Sequence, residues 1–86
     1  MDKGLIGMAD SANTSLSALR DGQQARVAAL HLTGGMRRRV QDLGLVPGTR
    51  VTCVRRALSG DPIAYRIRGA VVALRRCDAA QIEVQP

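Results

Sequence analysis

The stretch MRRRVQDLGLVPG, residues 36–48, carries the clearest local structural signal in the chain. Met36, Val40 and Leu43 recur at positions i, i+4 and i+7, which places their side chains on one face of a short helix. The other apolar runs of the chain do not share this period. The stretch therefore predicts a single short helix set among elements of another kind.

The end of this helix is specified by the residues that follow it. Gly44 suits the left-handed conformation after the last helical turn, and Leu45 comes where it can fold back on Val40, as in a Schellman motif. Pro47 and Gly48 then predict a type II turn. Helix, stop and turn are all predicted from local residues.

Most of the remaining chain predicts short strands. The strand-like runs are 25–30, 50–56, 63–67, 71–75 and 82–84. Ile63, Tyr65 and Ile67 alternate with small or charged residues, which is the period of a half-buried strand. Asp78, with Gln81 three residues on, predicts a capping box before the last strand. Since a barrel closes its edges where a flat sheet cannot, the predicted fold is mainly β: a small SH3-like barrel of about five strands with one short inserted helix.

The charge balance suggests an acidic partner. Thirteen basic and seven acidic side chains give a formal charge of +6, and every basic residue except Lys3 is an arginine. Arginine pairs with carboxylates and phosphates in a planar, two-pronged geometry, although an arginine-rich surface that only reflects genome composition is the competing interpretation. Tyr65 is the sole aromatic residue, which argues against grooves for proline-rich peptides and against stacking on single-stranded nucleic acid.

The sequence shows no pattern of catalytic or metal-ligating residues. Cys53 and Cys77 are far apart and are predicted to be reduced thiols. His31 is the only histidine, and none of the candidate ligands is spaced as a chelating pair. The segment 33–35 lacks the lysine and the length of a phosphate-binding loop. We therefore expect no enzyme, and no catalytic residues, metal, cofactor or small-molecule substrate.

The beginning of the chain lacks any periodic pattern. Residues 1–15 are predicted to be a flexible tail, followed by one domain over residues 16–86. The apolar stretch 5–8 is too short for the core of a signal peptide or for a membrane span. The prediction is a cytoplasmic protein that does not insert into the membrane.

The order of short motifs resembles a known family. The motifs are Leu19-x-x-Gly22, Arg37 to Arg39, Leu43-Gly44-Leu45-Val46-Pro47-Gly48, Gly60-Asp61-Pro62-Ile63, Leu74-Arg75-Arg76, Ala79 and Ile82-Glu83-Val84. Over about residues 16–85 the chain resembles FeoA, the small cytoplasmic component of bacterial ferrous iron uptake. The resemblance implies an SH3-like barrel and a partner, the membrane iron transporter FeoB, which has a GTP-hydrolysing cytoplasmic domain. It leaves open whether the family activates that GTPase or assists assembly of the transporter.

The predicted partner-binding surface combines the basic helix, the turn after it and one later arginine. Its residues are Arg37, Arg38, Arg39, Leu45, Val46 and Arg75. The three consecutive helix arginines span about 200° and cannot all face one way. They are candidates for a docking face, for an arginine finger offered to a GTPase, or for solvated decoration. If Leu45 packs on Val40, only Val46 is free for a partner.

Two further interpretations depend on charge alone. Four arginines of the last predicted strands are candidates for a basic stripe across the sheet: Arg66, Arg68, Arg75 and Arg76. The alternative function is a small basic barrel that binds nucleic acid or ribosomal RNA through phosphate contacts, with an affinity that falls steeply with salt.

Overall fold

The computed structural model describes residues 13–86. Over this range the chain forms six strands, two helices and one 3₁₀ turn. The strands are β1 (Thr14–Ser15), β2 (Gln24–Leu30), β3 (Arg50–Arg56), β4 (Ile63–Ile67), β5 (Ala70–Leu74) and β6 (Ile82–Gln85). The helices are α1 (Gly34–Asp42) and α2 (Arg76–Ala79), and the 3₁₀ turn is Leu16–Ala18.

The strands form one antiparallel sheet in the order β1-β6-β2-β3-β4-β5. The sheet changes direction at β2, whose first residues pair with β3 and whose later residues pair with β6. A register shift inserts one extra residue at Ala28 in β2 and another at Val54 in β3. Such bulges bend a strand and increase its twist, so they help the sheet to curl around its buried face.

The core is built from alternate residues of the strands. In β4, the predicted face of Ile63, Tyr65 and Ile67 is buried. The Tyr65 hydroxyl donates a hydrogen bond of 3.1 Å to the Leu16 carbonyl oxygen, so the polar end of this buried ring has a partner, as such rings require. Burial also raises the pKa of Tyr65. This one aromatic side chain ties the centre of the sheet to the 3₁₀ turn.

The predicted inserted helix is α1, and it packs on the core through its predicted apolar face. Val40 is fully buried, while Met36 and Leu43 are partly buried against the core. The opposite face, including the three arginines, is exposed. The period of the apolar residues therefore decides which way the charges point.

The helix ends as its sequence predicts. The Gly44 N–H donates to the Gln41 carbonyl at 2.9 Å, and the Leu45 N–H donates to the Val40 carbonyl at 2.9 Å. These are the two hydrogen bonds of a Schellman motif, and Gly44 has the positive φ, +104°, that the motif requires. Gly48 follows with a φ of +95°, which is consistent with the predicted type II turn.

A second tight turn lies against this helix end. Arg68 and Gly69 join β4 to β5 with φ values of +51° and +83°, the pair of positive values that a type I′ turn needs. A Cβ placed on Gly44 would lie 2.8 Å from the Cδ atom of Arg68. The hairpin turn and the end of α1 are therefore in close contact, and glycine at position 44 makes that approach possible.

The start of the described chain differs from the prediction. Thr14 and Ser15 pair with Val84 and Glu83, so these two residues belong to the sheet rather than to a tail. Residues 1–12 of the predicted tail lie outside the described residues. With β1, the described chain has six strands where about five were predicted. The sequence could not predict β1, because a strand of two residues is too short to show alternation.

The predicted capping box at Asp78 is wrong. The helix α2 begins after Arg75, Asp78 lies inside it, and no side chain of the N-cap residue caps it. Its first N–H, that of Arg76, instead donates to the carboxylate of Asp61 at 2.9 Å. A residue fifteen positions earlier in the chain thus accepts the hydrogen bond of the first N–H of this helix. The helix α2 is a second, short helix beside the single inserted helix that was predicted.

Candidate partner-binding surface

The three helix arginines have different surroundings. The guanidinium group of Arg37 donates to the carbonyl oxygens of Leu30 at 2.7 Å and Leu32 at 3.4 Å. These carbonyls lie at the end of β2 and in the loop before α1, so Arg37 fastens the helix to the sheet. Within residues 13–86, Arg38 and Arg39 have no such partner for their side chains. Of the three, they are the two whose charges are available to a partner.

Arg39 faces a shallow groove between α1 and the end of β5. This helix–strand groove has a volume of about 150 Å³ and is lined by Met36, Arg39, Ala73, Leu74, Arg75 and Asp78. The structure thus brings together two predicted site residues, Arg39 and Arg75, that are far apart in sequence. It adds the thioether of Met36 as an apolar floor and the carboxylate of Asp78 as the one acidic group.

The turn after the helix contributes less than predicted. Leu45 has no exposed surface and packs in the core, so the prediction that Leu45 contacts a partner is wrong. The Schellman motif explains this, because it turns the residue after the glycine back against the helix. Val46 is half-buried and keeps part of its side chain at the surface.

The arginines of the predicted basic stripe are distributed over the β4–β5 hairpin and the residues that follow it. Arg68 lies in the turn at one end of the β4–β5 hairpin, whereas Arg75 and Arg76 follow the other end of β5. Arg66 is on the outward face between them, opposite Val71. The positive charge is therefore spread along the length of the hairpin.

Few of these charges are neutralised within the described chain. Among residues 13–86 the only ion pair joins His31 and Glu83, with 2.9 Å between Nε2 and Oε1. A 2.5 Å hydrogen bond from the side-chain amide of Asn13, and then the one from His31, hold the pKa of Glu83 below its usual value. No arginine has a carboxylate of residues 13–86 within 4.0 Å, so within the described chain the basic surface is left to an acidic partner.

The structure shows no metal centre in the part of the chain it describes. Residues 13–86 contain no group of three or more histidine, cysteine, aspartate or glutamate side chains that could hold an ion. Cys53 is buried, which raises the pKa of its thiol, and Cys77 is exposed; both are free thiols. Over the same residues no helix is long and apolar enough to cross a membrane.

Sequence reasoning missed two parts of this surface. Met36 and Asp78 were assigned to the core and to a cap, respectively, although both also line the groove. The sequence signal for the groove was indirect. The run Ala70–Leu74 contains no charged residue, as is usual for a buried strand, and yet it forms the strand at the edge of the described sheet. Only the strand order shows that this run borders a surface.

A curled antiparallel sheet with an inserted helix, and with an arginine surface that no carboxylate of residues 13–86 neutralises, defines a small basic β domain. The FeoA domain signature matches residues 14–86. The chain is 43% identical over 70 residues to an Fe(2+) transport protein A/Fe(2+) transporter FeoB fusion protein of Porphyromonas gingivalis, a match that covers 81% of this chain and 8% of the fusion protein. The chain thus spans less than a tenth of that relative's length.

Solved structures show the same fold. The solution structure of FeoA from Chlorobium tepidum superposes with a TM-score of 0.80 at 38% identity, over 84% of this chain and 69% of that one. A zinc complex of FeoA from Stenotrophomonas maltophilia, described as a procaryotic SH3 domain protein, gives a TM-score of 0.73 at 28% identity, over 83% and 88% of the two chains. The SH3-like fold class is confirmed.

The chain belongs to the FeoA family. The predicted family is therefore confirmed, and the expectation that the chain is not an enzyme agrees with the SH3-like accessory domain that defines the family.

Proposed function

We propose that this protein is a non-catalytic cytoplasmic accessory protein of ferrous iron transport, and that it acts by binding the transporter FeoB. The observation that carries the proposal is the relative in which a homologous domain and FeoB are parts of one fusion protein. Joining two domains in one chain holds them at a high effective concentration. Such a fusion is useful when the two domains act on each other.

The contact is proposed at the helix–strand groove and the exposed side of α1. Arg38, Arg39 and Arg75 supply the charge, and the exposed part of Val46, in the turn after α1, supplies an apolar contact. Carboxylates of FeoB would pair with these guanidinium groups, which lack carboxylate partners among residues 13–86. Arg37 is left out of this set because its guanidinium group already holds the helix to the sheet.

Binding can be measured with the full chain and full-length cognate FeoB in detergent micelles, by biolayer interferometry at physiological salt. The double variant Arg39→Ala/Arg75→Ala should weaken binding about tenfold or more, since charge-assisted hydrogen bonds contribute about 1.5–3 kcal/mol in the best cases. A matched control, Arg20→Ala/Arg26→Ala, removes the same charge at exposed positions outside the groove. The control should change the affinity by less than about twofold.

Equal weakening by both double variants would show a general charge effect and would contradict the assigned surface. Absence of binding to FeoB would overturn the proposal itself. The rate of GTP hydrolysis by FeoB, with and without saturating chain, then separates the two modes of action. A rate that rises, and that falls back with Arg38→Ala, indicates activation, whereas an unchanged rate with intact binding indicates a role in assembly.

The nucleic-acid alternative has less support. Tyr65, the only aromatic side chain in the sequence, is buried and hydrogen-bonded inside the core. It cannot stack on a base, which is how single strands are commonly held. We therefore assign the basic surface to a protein partner.

A further inference from the structure

Among residues 13–86, the strand β5 forms one end of the sheet and pairs only with β4. No other strand of this range lies along its second side. A strand in this position presents backbone N–H and C=O groups that can pair with another extended segment.

The geometry of the hairpin identifies the free groups. Because Arg68 and Gly69 form a two-residue turn, the flanking pair Ile67–Ala70 exchanges hydrogen bonds across the hairpin. Hydrogen-bonded and non-bonded pairs then alternate along an antiparallel ladder. The N–H and C=O groups of Val71 and Ala73 consequently point away from β4, and no backbone group of residues 13–86 pairs with them.

This edge lacks the features with which proteins usually protect exposed strands. Edges are normally blunted by lysine, proline, bulges or inward-pointing charges. The sequence of β5, AVVAL, has no charged residue and no proline, and its register with β4 is regular. The side chain of Val71 is 55% exposed, and Ala73 is exposed as well. The outward side chains of Val71 and Ala73 are therefore accessible, and no backbone group among residues 13–86 pairs with the N–H and C=O groups of these two residues.

The surroundings of the edge select an acidic occupant. At one end it borders the helix–strand groove with Arg39 and Arg75. Towards the other end, Arg66 lies on β4 directly opposite Val71. Asp78 is the single acidic side chain in the groove. A second copy of this chain would bring the same arginines to its own edge and so place like charges together, which disfavours self-pairing.

We propose that an extended segment of FeoB, apolar at alternate positions and carrying carboxylates, adds to β5 as a further antiparallel or parallel strand. The N–H and C=O groups of Val71 and Ala73 form the ladder, and Arg39 and Arg75 bind the carboxylates. This inference rests on the proposed function and specifies its binding mode. Main-chain pairing of this kind provides affinity, and the flanking side chains provide selectivity.

The test is amide hydrogen exchange of the isotope-labelled full chain, free and bound to full-length FeoB in detergent micelles, with the exchange quenched and read by NMR. In the free protein the Val71 and Ala73 amides should exchange rapidly, because they face solvent. In the complex both should slow by roughly tenfold or more, while the Val72 amide, already bonded to β4, changes less. Protection of Val71 and Ala73 in the free protein would overturn the inference, because the chain itself would already cover the edge.

A pair of variants isolates the backbone contribution. Val71→Pro removes the outward N–H and the valine side chain, whereas Val71→Ala removes the side chain and keeps the N–H. Proline is tolerated on an edge strand where its missing N–H faces solvent. The proline variant should bind FeoB about fivefold more weakly than the alanine variant, the equivalent of one lost hydrogen bond. If the proline variant does not fold, the exchange measurement on the unchanged protein decides.

The outcomes separate this inference from the proposed function. Binding to FeoB with unchanged exchange at Val71 and Ala73, or equal affinity of the two variants, would overturn strand addition alone and leave the helix surface in place. Absence of any binding would overturn the proposed function, and strand addition with it. A complex of two copies of this chain that protects the same amides would assign the edge to self-association instead.

Discussion

Replacing Gly44 with alanine tests how the end of α1 is held against the β4–β5 turn. Two costs follow from the structure. The φ of +104° at this position lies in a region that costs a residue with a side chain about 1–3 kcal/mol. The new Cβ would also lie 2.8 Å from Arg68 Cδ and 3.4 Å from Ile67 Cγ2, so the arginine must shift at an overpacking cost of about 1 kcal/mol.

The unfolded chain reduces this cost slightly. Alanine lowers the entropy of the unfolded state relative to glycine, which favours folding by about 0.4–1 kcal/mol. The net loss in the free energy of unfolding should be about 2 kcal/mol. In a domain of this size, each kcal/mol corresponds to a fall in Tm of roughly 4–8 °C. Urea denaturation followed by far-UV circular dichroism measures the loss directly.

Two other glycines provide matched controls. Gly48 also has a positive φ, +95°, but no atom lies within 4 Å of a Cβ placed there. Gly48→Ala should therefore show only the backbone cost, about 1 kcal/mol less than Gly44→Ala. Gly35 lies inside α1 without a positive φ and with no neighbour within 4 Å. Gly35→Ala should be neutral or stabilise by up to about 1 kcal/mol.

A double variant separates contact from strain. If the Arg68 side chain is the obstacle, the double variant Gly44→Ala/Arg68→Ala should lose only as much free energy of unfolding as Gly48→Ala, after correction for Arg68→Ala alone. A Gly44→Ala protein no less stable than Gly48→Ala would refute the contribution of the contact. One as stable as Gly35→Ala would refute the backbone argument as well.

Three further predictions concern single side chains. Arg37→Ala should lower the free energy of unfolding by about 1–2 kcal/mol because it leaves two carbonyls without their donor, while Arg38→Ala should stay within about 0.5 kcal/mol; equal values in urea denaturation would contradict the anchoring role. Tyr65→Phe removes the hydroxyl that donates to the Leu16 carbonyl, while that carbonyl keeps its hydrogen bond from the Leu19 N–H, so the substitution should cost about 0.5–1.5 kcal/mol in the same assay, and an unchanged midpoint would show that the hydrogen bond contributes nothing. Hydrogen bonds lower the pKa of Glu83 in the folded state, so this carboxylate stabilises the protein above its unfolded pKa of about 4.3, and the contribution is lost as the pH falls through the lower folded pKa. In thermal melts from pH 6 to pH 2, the Tm of Glu83→Gln should therefore fall less than the Tm of the unchanged protein, and identical curves would contradict this.

The candidate site could be predicted only in part. The exposure of Arg38 and Arg39 follows from the helical period of the apolar residues around them. The anchoring of Arg37 does not, because its acceptors belong to β2 and to the loop before the helix. Leu45 was predicted both as the Schellman contact of Val40 and as a partner-binding residue, and the structure confirms only the first.

The pairing of distant residues escaped the sequence altogether. Arg39 and Arg75 meet across one groove only because β5 ends beside α1, and the strand order decides that. In the same way, the carboxylate that satisfies the start of α2 comes from Asp61 and not from the local Asp78. Each of these contacts joins segments whose spacing along the chain carries no periodic signal.

By itself, the sequence determined the elements whose hydrogen bonds and apolar faces are local. The α1 helix with its glycine stop, the following turn and the alternation of β4 all depend on residues within a few positions of each other, so propensity and period are sufficient. Only the tertiary structure decided which strand lies at the edge, which arginines remain unpaired in the described chain and which side chains share a groove. These features depend on the order in which a curled sheet places its strands, and that order is set by packing between residues remote in sequence.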